Sequence, residues 1–229
     1  MISFVIPIYN AAGIIRSGYE ILKKELEELR VDYEIIFEDD ASLDKSGEIL
    51  EEIARHDPQS KVFFHHPNQG LGFSLRQLFD RARGDTIVYL DMDLPFGTKI
   101  IPRLLKESEV ADVVLASRYA EPKSRVPLLR EIASNLYYFF CKGLFDISAR
   151  DLGSGCVLFK RRALESLNLV SLGFDIHIEL FAQLKNKGFQ VKEIPARYIH
   201  SGRGTFSILK HGPRIFIDTL KLWLSLRKR

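Results

Sequence analysis

The 229-residue chain contains little sulfur and no long apolar run. Only two cysteines are present, Cys141 and Cys156, and no Cys-x-x-Cys spacing occurs, so the sequence predicts neither a disulfide framework nor a zinc site. No apolar run reaches the ~18–20 residues that a bilayer-spanning helix needs, and the first residues are typical of a strand rather than of a basic leader. We therefore expect a cytoplasmic protein in a reducing environment, without a secretion signal or a membrane span.

A strong net charge is also absent, although the charge is unevenly distributed. The formal net charge is +3, but residues 203–229 carry seven lysines and arginines against one aspartate, which leaves −3 for the remainder. The hydrophobic content of 46% is enough to bury a full core in one large domain, with or without an appendage. Because the basic segment matches no nucleic-acid recognition fold, nucleic acid is not an expected partner.

Strand and helix patterns alternate along the first half of the sequence. β-branched and aromatic residues predict the strands, and apolar residues at helical spacing predict amphipathic helices between them. This alternation favours an α/β fold with a mostly parallel sheet, helices on both faces and ligands at the carboxyl ends of the strands. The predicted strands are Ile2–Ile6, Tyr33–Phe37, Lys61–His65, Thr86–Leu90 and Asp112–Ala116, and the predicted helices are Ile14–Leu29, Ser46–His56, Leu71–Ala82 and Gly97–Glu107.

Two carboxylates separated by one residue follow the fourth predicted strand. Thr86–Leu90 leads directly into Asp91, Met92 and Asp93. In the turn after a buried strand, these two carboxylates can converge on one divalent cation, with nucleotide phosphates as further ligands. Short acidic turns also serve as helix caps or solvated loops, so the motif alone leaves both interpretations open.

The first two strands also end in polar segments. The first leads into residues 7–13, which include Pro7 and Asn10 but lack the Gly-x-Gly-x-x-Gly pattern, so a dinucleotide-binding Rossmann site is disfavoured. The second leads into three consecutive acids, residues 38–40, where one carboxylate can accept hydrogen bonds from a nucleoside or cap the next helix. Three polar strand ends at one edge of a sheet are more specific than any one of them.

Taken in order along the chain, these strand ends and several glycine-containing motifs resemble the family 2 inverting glycosyltransferases, and within them the dolichyl-phosphate mannose and glucose synthase-like branch. The resemblance covers about 200 residues. It implies a GT-A fold with a mostly parallel central sheet, helices on both faces and a C-terminal amphipathic helix. The matching segments are residues 4–10, 39–42, 68–72, 82–85, 90–93, 116–119, 151–156 and 188–195.

The resemblance implies a metal-dependent enzyme that moves a hexose from a nucleotide sugar to a polyprenyl phosphate. Asp91 and Asp93 would bind Mg²⁺ or Mn²⁺ on the diphosphate of GDP-mannose or UDP-glucose. The residues that would hold the nucleotide sugar are Pro7, Tyr9, Asn10, Asp40 and Asp91.

The same resemblance implies an acceptor site in the second half of the chain. Arg118 matches an arginine that meets phosphate, and Arg130 and Ser134 match a pair that grips the lipid phosphate from one helical face. Arg203 is a further candidate for contacting phosphate. The alternative role for Arg118 and Arg130 is a surface salt bridge.

Two segments depart from the family pattern. Where many mannose synthases have Leu-Gln after the second aspartate, this chain has Leu94 and Pro95. Because Pro95 offers no side-chain ligand, the two carboxylates, the diphosphate and water must complete the metal shell. Residues 201–207 read Ser-Gly-Arg-Gly-Thr-Phe-Ser in place of Arg-x-x-Gly-x-Ser-Lys, which displaces the arginine to Arg203 and removes the lysine.

The expected mechanism depends on the acceptor. A phosphate acceptor is already anionic, so catalysis can rest on positioning and charge stabilisation without a dedicated base. Asp151 is the carboxylate expected near the reacting centre, together with Asp93. Asp175 and Glu179 lie one helical turn apart and are second candidates, with a solvated or salt-bridged helix face as the alternative. A structural role is expected for His177.

The last segment, residues 203–229, has the pattern of a basic amphipathic helix. Its broad apolar surface suits the headgroup region of a membrane, or packing on the body or on a second subunit, so the oligomeric state stays open. We predict a GT-A domain over residues 1–202, with a nucleotide-sugar half at 1–116 and an acceptor half at 117–202, held peripherally on a cytoplasmic membrane surface. The polar stripe of the predicted helix comprises Arg214, Asp218, Lys221, Ser225 and Lys228.

Other functions stay open beside the polyprenyl-phosphate transferase. A family 2 transferase could extend a glycan or glycolipid hydroxyl instead. A sugar-1-phosphate nucleotidylyltransferase shares the sheet and the metal site, but it would need a Gly-rich loop with Arg or Lys where this chain has residues 7–10. A non-catalytic lipid-binding module would have no use for Asp91 and Asp93.

Overall fold

The computed structural model describes residues 1–121, 128–199 and 208–227, except for the side chains of 128–130, 208–211 and 213. Strands and helices alternate in its first half, as the sequence predicts. The strands are β1 (Ile2–Ile8), β2 (Tyr33–Asp39), β3 (Ser60–Phe64), β4 (Thr86–Leu90), β5 (Val113–Ser117), β6 (Cys156–Lys160) and β7 (Val191–Pro195). The helices are α1 (Ala12–Leu29), α2 (Ser46–His56), α3 (Leu71–Arg81), α4 (Ile101–Glu107), α5 (Leu128–Phe145), α6 (Arg161–Glu165), α7 (Ile176–Asn186) and α8 (Ile208–Leu226), with a 3₁₀ turn at Thr98–Ile100.

The strands of the described chain form one sheet in the order β3-β2-β1-β4-β6-β5-β7. β1 pairs in parallel with β2 and β4, β2 with β3, and β5 with β7. β6 runs antiparallel between β4 and β5. The predicted α/β fold with a mostly parallel sheet is confirmed, and β6 and β7 are additions that the strand assignment from sequence did not contain.

Both faces of this sheet are buried, because alternate residues of its central strands point to opposite sides. In β1, Phe4 and Ile6 contact one apolar core and Val5 contacts the other. Leu22 of α1 belongs to the first core and Leu75 of α3 to the second. Full burial of one such side chain contributes about 1.5–3 kcal/mol. The helices on the two faces are therefore held by apolar contact with the strands.

The carboxyl ends of β1, β2 and β4 meet at one edge of the sheet, since these strands are parallel. Because β6 is antiparallel to β4, with Cys156 opposite Leu90, the loop that precedes β6 reaches the same edge. α1 also approaches this edge closely, since a Cβ added to Gly18 would lie 2.7 Å from the Met92 carbonyl oxygen. The Asp91–Asp93 turn is consequently enclosed by a helix on one side and the 151–155 loop on the other.

The predicted C-terminal helix is present as α8, and it packs on α5. The Phe216 and Phe140 rings stack with 4.5 Å between centroids. Trp223 Nε1 donates a hydrogen bond of 3.0 Å to the Leu144 carbonyl oxygen. In the described part of the chain, no helix has the length and apolar character required to cross a membrane.

Candidate active site

Asp91 lies at the carboxyl end of β4 and is fixed by two hydrogen bonds. Tyr89, two residues earlier and hence on the same side of the strand, donates its hydroxyl hydrogen to Asp91 Oδ1 at 2.5 Å. The Asp91 backbone N–H donates to the Gly155 carbonyl oxygen at 2.8 Å. The carboxylate and its backbone are therefore positioned independently, one by β4 and the other by the loop that precedes β6.

Burial and the neighbouring Asp93 raise the pKa of Asp91 to about 6. The hydrogen bond from Tyr89 and the positive charge of Arg118 act in the opposite direction and lower it. Two carboxylates that repel each other in a partly buried turn favour a bound cation, because the cation removes the repulsion. The electrostatics of this turn thus suit a divalent metal.

Close packing around Asp91 explains a glycine in the 151–155 loop. A Cβ added to Gly155 would lie 2.2 Å from Asp91 Oδ2, which is far inside the contact distance. At Gly153, in contrast, an added Cβ meets no atom within 4 Å. Gly155 therefore leaves the space that the Asp91 carboxylate occupies.

The donor set of the turn fits a metal that is shared with a substrate. Asp91 and Asp93 supply carboxylate oxygens, the ligands that Mg²⁺ and Mn²⁺ prefer. Over the described residues, no group of three or more His, Cys, Asp or Glu side chains could hold a metal by itself. The Pro95 carbonyl oxygen already accepts the Ile199 backbone N–H at 2.7 Å. A cation here would take its remaining ligands from a diphosphate and from water, as the sequence leads us to expect.

Arg118 and Asp151, both predicted to lie at the site, form a buried ion pair with each other. The Arg118 backbone N–H and Nε donate to Asp151 Oδ2 at 2.9 and 2.8 Å, and Nη2 donates to the Gly153 carbonyl oxygen at 2.8 Å. The Tyr198 ring covers the guanidinium, with its centroid 4.6 Å from Cζ. Burial lowers the pKa of Arg118, but the charge of Asp151 and its hydrogen bond outweigh burial and raise it, so this arginine stays charged.

A cavity of about 490 Å³ joins this ion pair to the metal-binding turn and to α5 and α8. Its polar part includes Asp91, Arg118, Asp151 and Ser134, so the structure brings four of the predicted site residues together. Its apolar wall comes from α5 and α8 and comprises Ala133, Leu136, Tyr137, Phe140, Ile215 and Phe216.

Two predicted acceptor residues lie beyond the description. The side chain of Arg130 and the whole of Arg203 fall outside the described residues, so their roles stay predictions.

A second cavity, of about 740 Å³, lies at the opposite edge of the sheet, where Asp85 precedes β4 and Asp112 precedes β5. It contains none of the predicted site residues.

Asp40 is buried and holds the loop that leads into α3. Its Oδ1 accepts the Gln69 N–H at 2.7 Å and its Oδ2 accepts the Gly70 N–H at 2.8 Å. His65 Nδ1 lies 2.9 Å from Oδ1. Both carboxylate oxygens are thus engaged within the protein, so the predicted contact of Asp40 with a nucleoside would use the remaining lone pairs.

The other predicted nucleotide residues lie where β1 ends. Asn10 has a left-handed backbone, with φ of 50°, and its Oδ1 accepts the Leu43 N–H at 2.8 Å. The Asn10 N–H donates to Ser42 Oγ at 2.8 Å, which ties the ends of β1 and β2 together. Pro7 is the last but one residue of β1, opposite Glu38, and the Tyr9 side chain is 46% exposed. Tyr9 is consequently accessible to the nucleobase of a bound nucleotide.

Several residues of the site were not assigned to it from sequence. His177, expected to be structural, lines the cavity beside Asp91, and its ring lies 5.7 Å from that of Tyr89. Burial lowers the pKa of His177 to about 4, so it is neutral near pH 7. Tyr89 could have been found from the sequence, because residues i and i+2 of a strand share a face. His177 carries no such signal.

The second candidate carboxylates are not on a solvated helix face. Glu179 is fully buried, and its oxygens accept the backbone N–H groups of Val170 and Ser171. Asp175 is also buried, and its Oδ1 accepts the Gly173 N–H at 3.2 Å. Glu179 therefore stabilises the loop before α7.

Known proteins with similar sequences are glycosyltransferases. Residues 3–167 match the protein family described as Glycosyl transferase family 2. The glycosyltransferase CsbB of Bacillus subtilis, described as putative, is 28% identical over 206 residues, which is 90% of this chain and 61% of that protein. A dolichol-phosphate mannosyltransferase of Pyrococcus furiosus is 27% identical over 210 residues, which is 89% of this chain and 58% of that protein. The chain thus spans less than two thirds of the length of either relative.

Solved structures share the fold. Glucosyl-3-phosphoglycerate synthase from Mycobacterium tuberculosis, in complex with phosphoglyceric acid, superposes with a TM-score of 0.74 at 20% identity, over 98% of this chain and 79% of that one. Mannosyltransferase PcManGT from Pyrobaculum calidifontis, in complex with GDP-Man and Mn²⁺, gives 0.62 at 17% identity, over 85% and 54%. The predicted GT-A fold is thereby confirmed.

Proposed function

The chain belongs to the glycosyl transferase family 2, and on that premise we propose that it moves a hexose from a nucleotide sugar to a polyprenyl phosphate with inversion at the anomeric carbon. One observation supports this acceptor above others. The cavity of about 490 Å³ places Asp91 and Arg118 at one end of a space whose other wall is apolar and comes from α5 and α8. A lipid phosphate has the matching chemistry, with an anionic head and an apolar chain.

The donor would bind at the carboxyl ends of β1, β2 and β4. Asp91 and Asp93 would hold the diphosphate through Mg²⁺ or Mn²⁺, and Tyr9 is exposed where the base would lie. When bound, the cation would supply neutralisation of the charge that develops on the departing nucleoside diphosphate. The relatives and structural neighbours use different sugars, so GDP-mannose and UDP-glucose are both donors to test.

At the acceptor end, the residues of this chain would orient an anion rather than remove a proton. A phosphate oxygen is already a competent nucleophile, so positioning it in line with the anomeric carbon is the main requirement. Asp151 Oδ2 accepts two hydrogen bonds from Arg118, which suits holding the guanidinium in place. We therefore assign Asp151 to the reacting centre as the partner of Arg118.

The apolar wall continues onto the protein surface. Leu136 and Phe139 of α5 are 68% and 65% exposed, and Ile217 and Leu224 of α8 are 51% and 53% exposed. Arg214 and Lys221, one helical turn from Ile217, are also exposed and share Asp218 as a partner. This combination suits a lipid headgroup region, so the protein would act as a peripheral membrane enzyme that takes its acceptor from the bilayer.

The test is transfer to a defined acceptor. The chain is incubated with Mn²⁺ and either GDP-mannose or UDP-glucose, together with a short prenyl phosphate, the matching prenyl alcohol or an oligosaccharide. We expect a prenyl-phosphate sugar from one donor and no product from the alcohol. Transfer only to a hydroxyl would contradict the proposed acceptor and favour the glycan-extending alternative. Formation of a nucleotide sugar from a sugar 1-phosphate would instead identify a nucleotidylyltransferase.

A further inference from the structure

The positive charge of Arg118 is largely committed within the protein. Its guanidinium is buried, lies 2.8 Å from the Asp151 carboxylate and donates a further bond to the Gly153 carbonyl oxygen. A buried ion pair of this kind has little net charge to offer a third group. An acceptor phosphate that met only this pair would gain hydrogen bonds but little neutralisation.

A second arginine lies in the same cavity and was not singled out in the sequence. Arg150 immediately precedes Asp151, lines the cavity and is exposed. Its Nη2 donates to Asn135 Oδ1 at 3.2 Å. Its backbone N–H donates to Glu193 Oε1 at 3.1 Å, but within the described part of the chain its guanidinium forms no ion pair. Most of its N–H donors are therefore available to a ligand.

The position of Arg150 links the two parts of the predicted acceptor site. The Tyr119 ring centroid lies 5.4 Å from Arg150 Cζ and 5.9 Å from Arg118 Cζ, so the two guanidinium groups flank one ring. The hydrogen bond to Asn135 places Arg150 beside Ser134 on α5. Arg150 thus lies between the ion pair and the helix that carries the apolar wall.

The charges of the side chains that line the cavity also single out Arg150. Among the described residues that line the cavity, Asp91 and Asp151 are acidic and Arg118 and Arg150 are basic. Without Arg150, Arg118 balances only Asp151, and Asp91 is the carboxylate that would meet the cation, so these side chains have no positive charge left for an anionic head group. With Arg150 they balance, and its charge is the one not bound to a carboxylate.

We propose that Arg150 binds and neutralises the phosphate of the acceptor, in addition to the predicted contacts of Arg130 and Ser134, while Arg118 and Asp151 form the fixed wall beside it. This assignment rests on the proposed function, because it names the ligand of that same cavity. A guanidinium with free donors can form paired hydrogen bonds to a phosphate, which a lysine ammonium cannot reproduce.

The experiment compares Arg150→Gln and Arg150→Lys with the parent chain. The matched control is Arg55→Gln, since Arg55 is exposed at the end of α2, away from the carboxyl edge of the sheet. Arg150→Gln should raise the KM for a short prenyl phosphate by on the order of 10-fold or more, with the affinity for nucleoside diphosphate and Mn²⁺ unchanged. Arg150→Lys should restore part of the loss, and Arg55→Gln should behave as the parent.

Calorimetric titration of the Mn²⁺- and nucleoside-diphosphate-bound protein with prenyl phosphate gives an independent readout. Binding by the parent that is lost in Arg150→Gln supports the assignment, even if transfer proves to use another acceptor and the proposed function fails. Equal binding by the two proteins, or no binding by either, overturns it. An equal loss of prenyl alcohol binding would also overturn it, because the effect would then be one of packing and not of charge.

Discussion

At the residue scale, the Asp91 and Asp93 carboxylates carry the most direct prediction. Asp91→Asn preserves the acceptor for the Tyr89 hydroxyl but removes the charge that a cation needs. We expect Asp91→Asn and Asp93→Asn to lose Mn²⁺-dependent binding of the nucleotide sugar by on the order of 100-fold while the fold persists. Calorimetry with and without Mn²⁺ measures this, and circular dichroism checks the fold. Donor affinity equal to that of the parent in the presence of Mn²⁺ would refute the metal assignment.

Asp91 also predicts how stability depends on pH. Its folded-state pKa of about 6 lies above the ordinary value of 3.8, so the folded protein holds this proton more tightly than the unfolded chain does. The stabilisation this provides is complete below the ordinary pKa and is lost as the pH rises through about 6.

The asparagine of Asp91→Asn cannot lose a proton. Without divalent metal, the free energy of unfolding of this variant should therefore increase relative to that of the parent between about pH 4 and pH 7. With a pKa of about 6 against 3.8, and about 1.4 kcal/mol for each pH unit between them, we expect a change of up to about 3 kcal/mol. Urea unfolding at several pH values in the presence of EDTA measures it. A difference between the two proteins that stays constant with pH would show that Asp91 has no raised pKa.

Gly155 gives a third prediction at this scale. In Gly155→Ala the new methyl group would overlap Asp91 Oδ2, so the carboxylate must turn away from its bond with Tyr89. We expect metal-dependent donor binding to weaken by on the order of 10-fold, because residues that orient a metal ligand commonly have effects of this size. Gly153→Ala, whose methyl group meets no atom within 4 Å, is the control in the same loop. Equal donor binding in the two variants would mean that the space at Gly155 is not needed.

At the scale of single elements, periodicity predicted the first half of the fold well. The predicted Ser46–His56 and Thr86–Leu90 coincide with α2 and β4. These elements have strong patterns, because each is buried along one stripe or on both faces. β6 was not assigned, since Cys156–Lys160 is a short apolar run that follows α5 only after a loop over residues 146–155. Its antiparallel direction follows from tertiary pairing with β4 and β5, which local sequence does not encode.

α5 carries the prediction for the acceptor. Ser134 lines the cavity, and Arg130 lies four residues earlier on the same helix. We expect Ser134→Ala and Arg130→Gln to raise the KM for prenyl phosphate by on the order of 10-fold while donor affinity stays that of the parent. Ser17→Ala in α1, where the hydroxyl donates to the Ile14 carbonyl oxygen, is the control for loss of an exposed serine. An unchanged acceptor KM in both α5 variants would count against a role for this helix face.

At the scale of the whole molecule, the site depends on contacts between residues far apart in sequence. The strand-end carboxylates could be predicted because strand and motif are adjacent. The Arg118–Asp151 pair could not, since each residue alone matched a separate role and only the fold brings them within 2.8 Å. The same applies to Arg150, whose guanidinium forms no ion pair within the described part of the chain, although its backbone N–H donates to Glu193 Oε1. Charge balance within a cavity is a property of the folded chain.

The C-terminal segment shows the same limit. Its helical pattern was predicted, but the face that packs on α5 was not. Leu222 is buried, and the Tyr137 and Thr219 hydroxyls lie 2.6 Å apart in a hydrogen bond. Removing α8 would therefore uncover α5 and part of the cavity wall, so truncation cannot separate membrane binding from stability. Substitutions on the exposed face of α8 can.

Membrane attachment is thus best tested on Ile217 and Leu224, which are exposed on α8. Replacing both with glutamate removes apolar area and adds negative charge, and it leaves unchanged Phe216, Thr219 and Trp223, through which α8 contacts α5. We expect this double variant to bind anionic vesicles at least 10-fold more weakly than the parent and to keep its affinity for nucleotide and Mn²⁺. Each basic residue near such a surface contributes about 1 kcal/mol, and each added acid opposes this attraction.

Val110→Glu, at a residue that is 67% exposed at the opposite edge of the sheet, is the control. Vesicle co-sedimentation at rising salt measures the effect, since electrostatic attraction to lipid weakens as ions screen it. If the double variant and the parent sediment equally, α8 serves only to pack on α5, and the acceptor must reach the cavity without help from this helix.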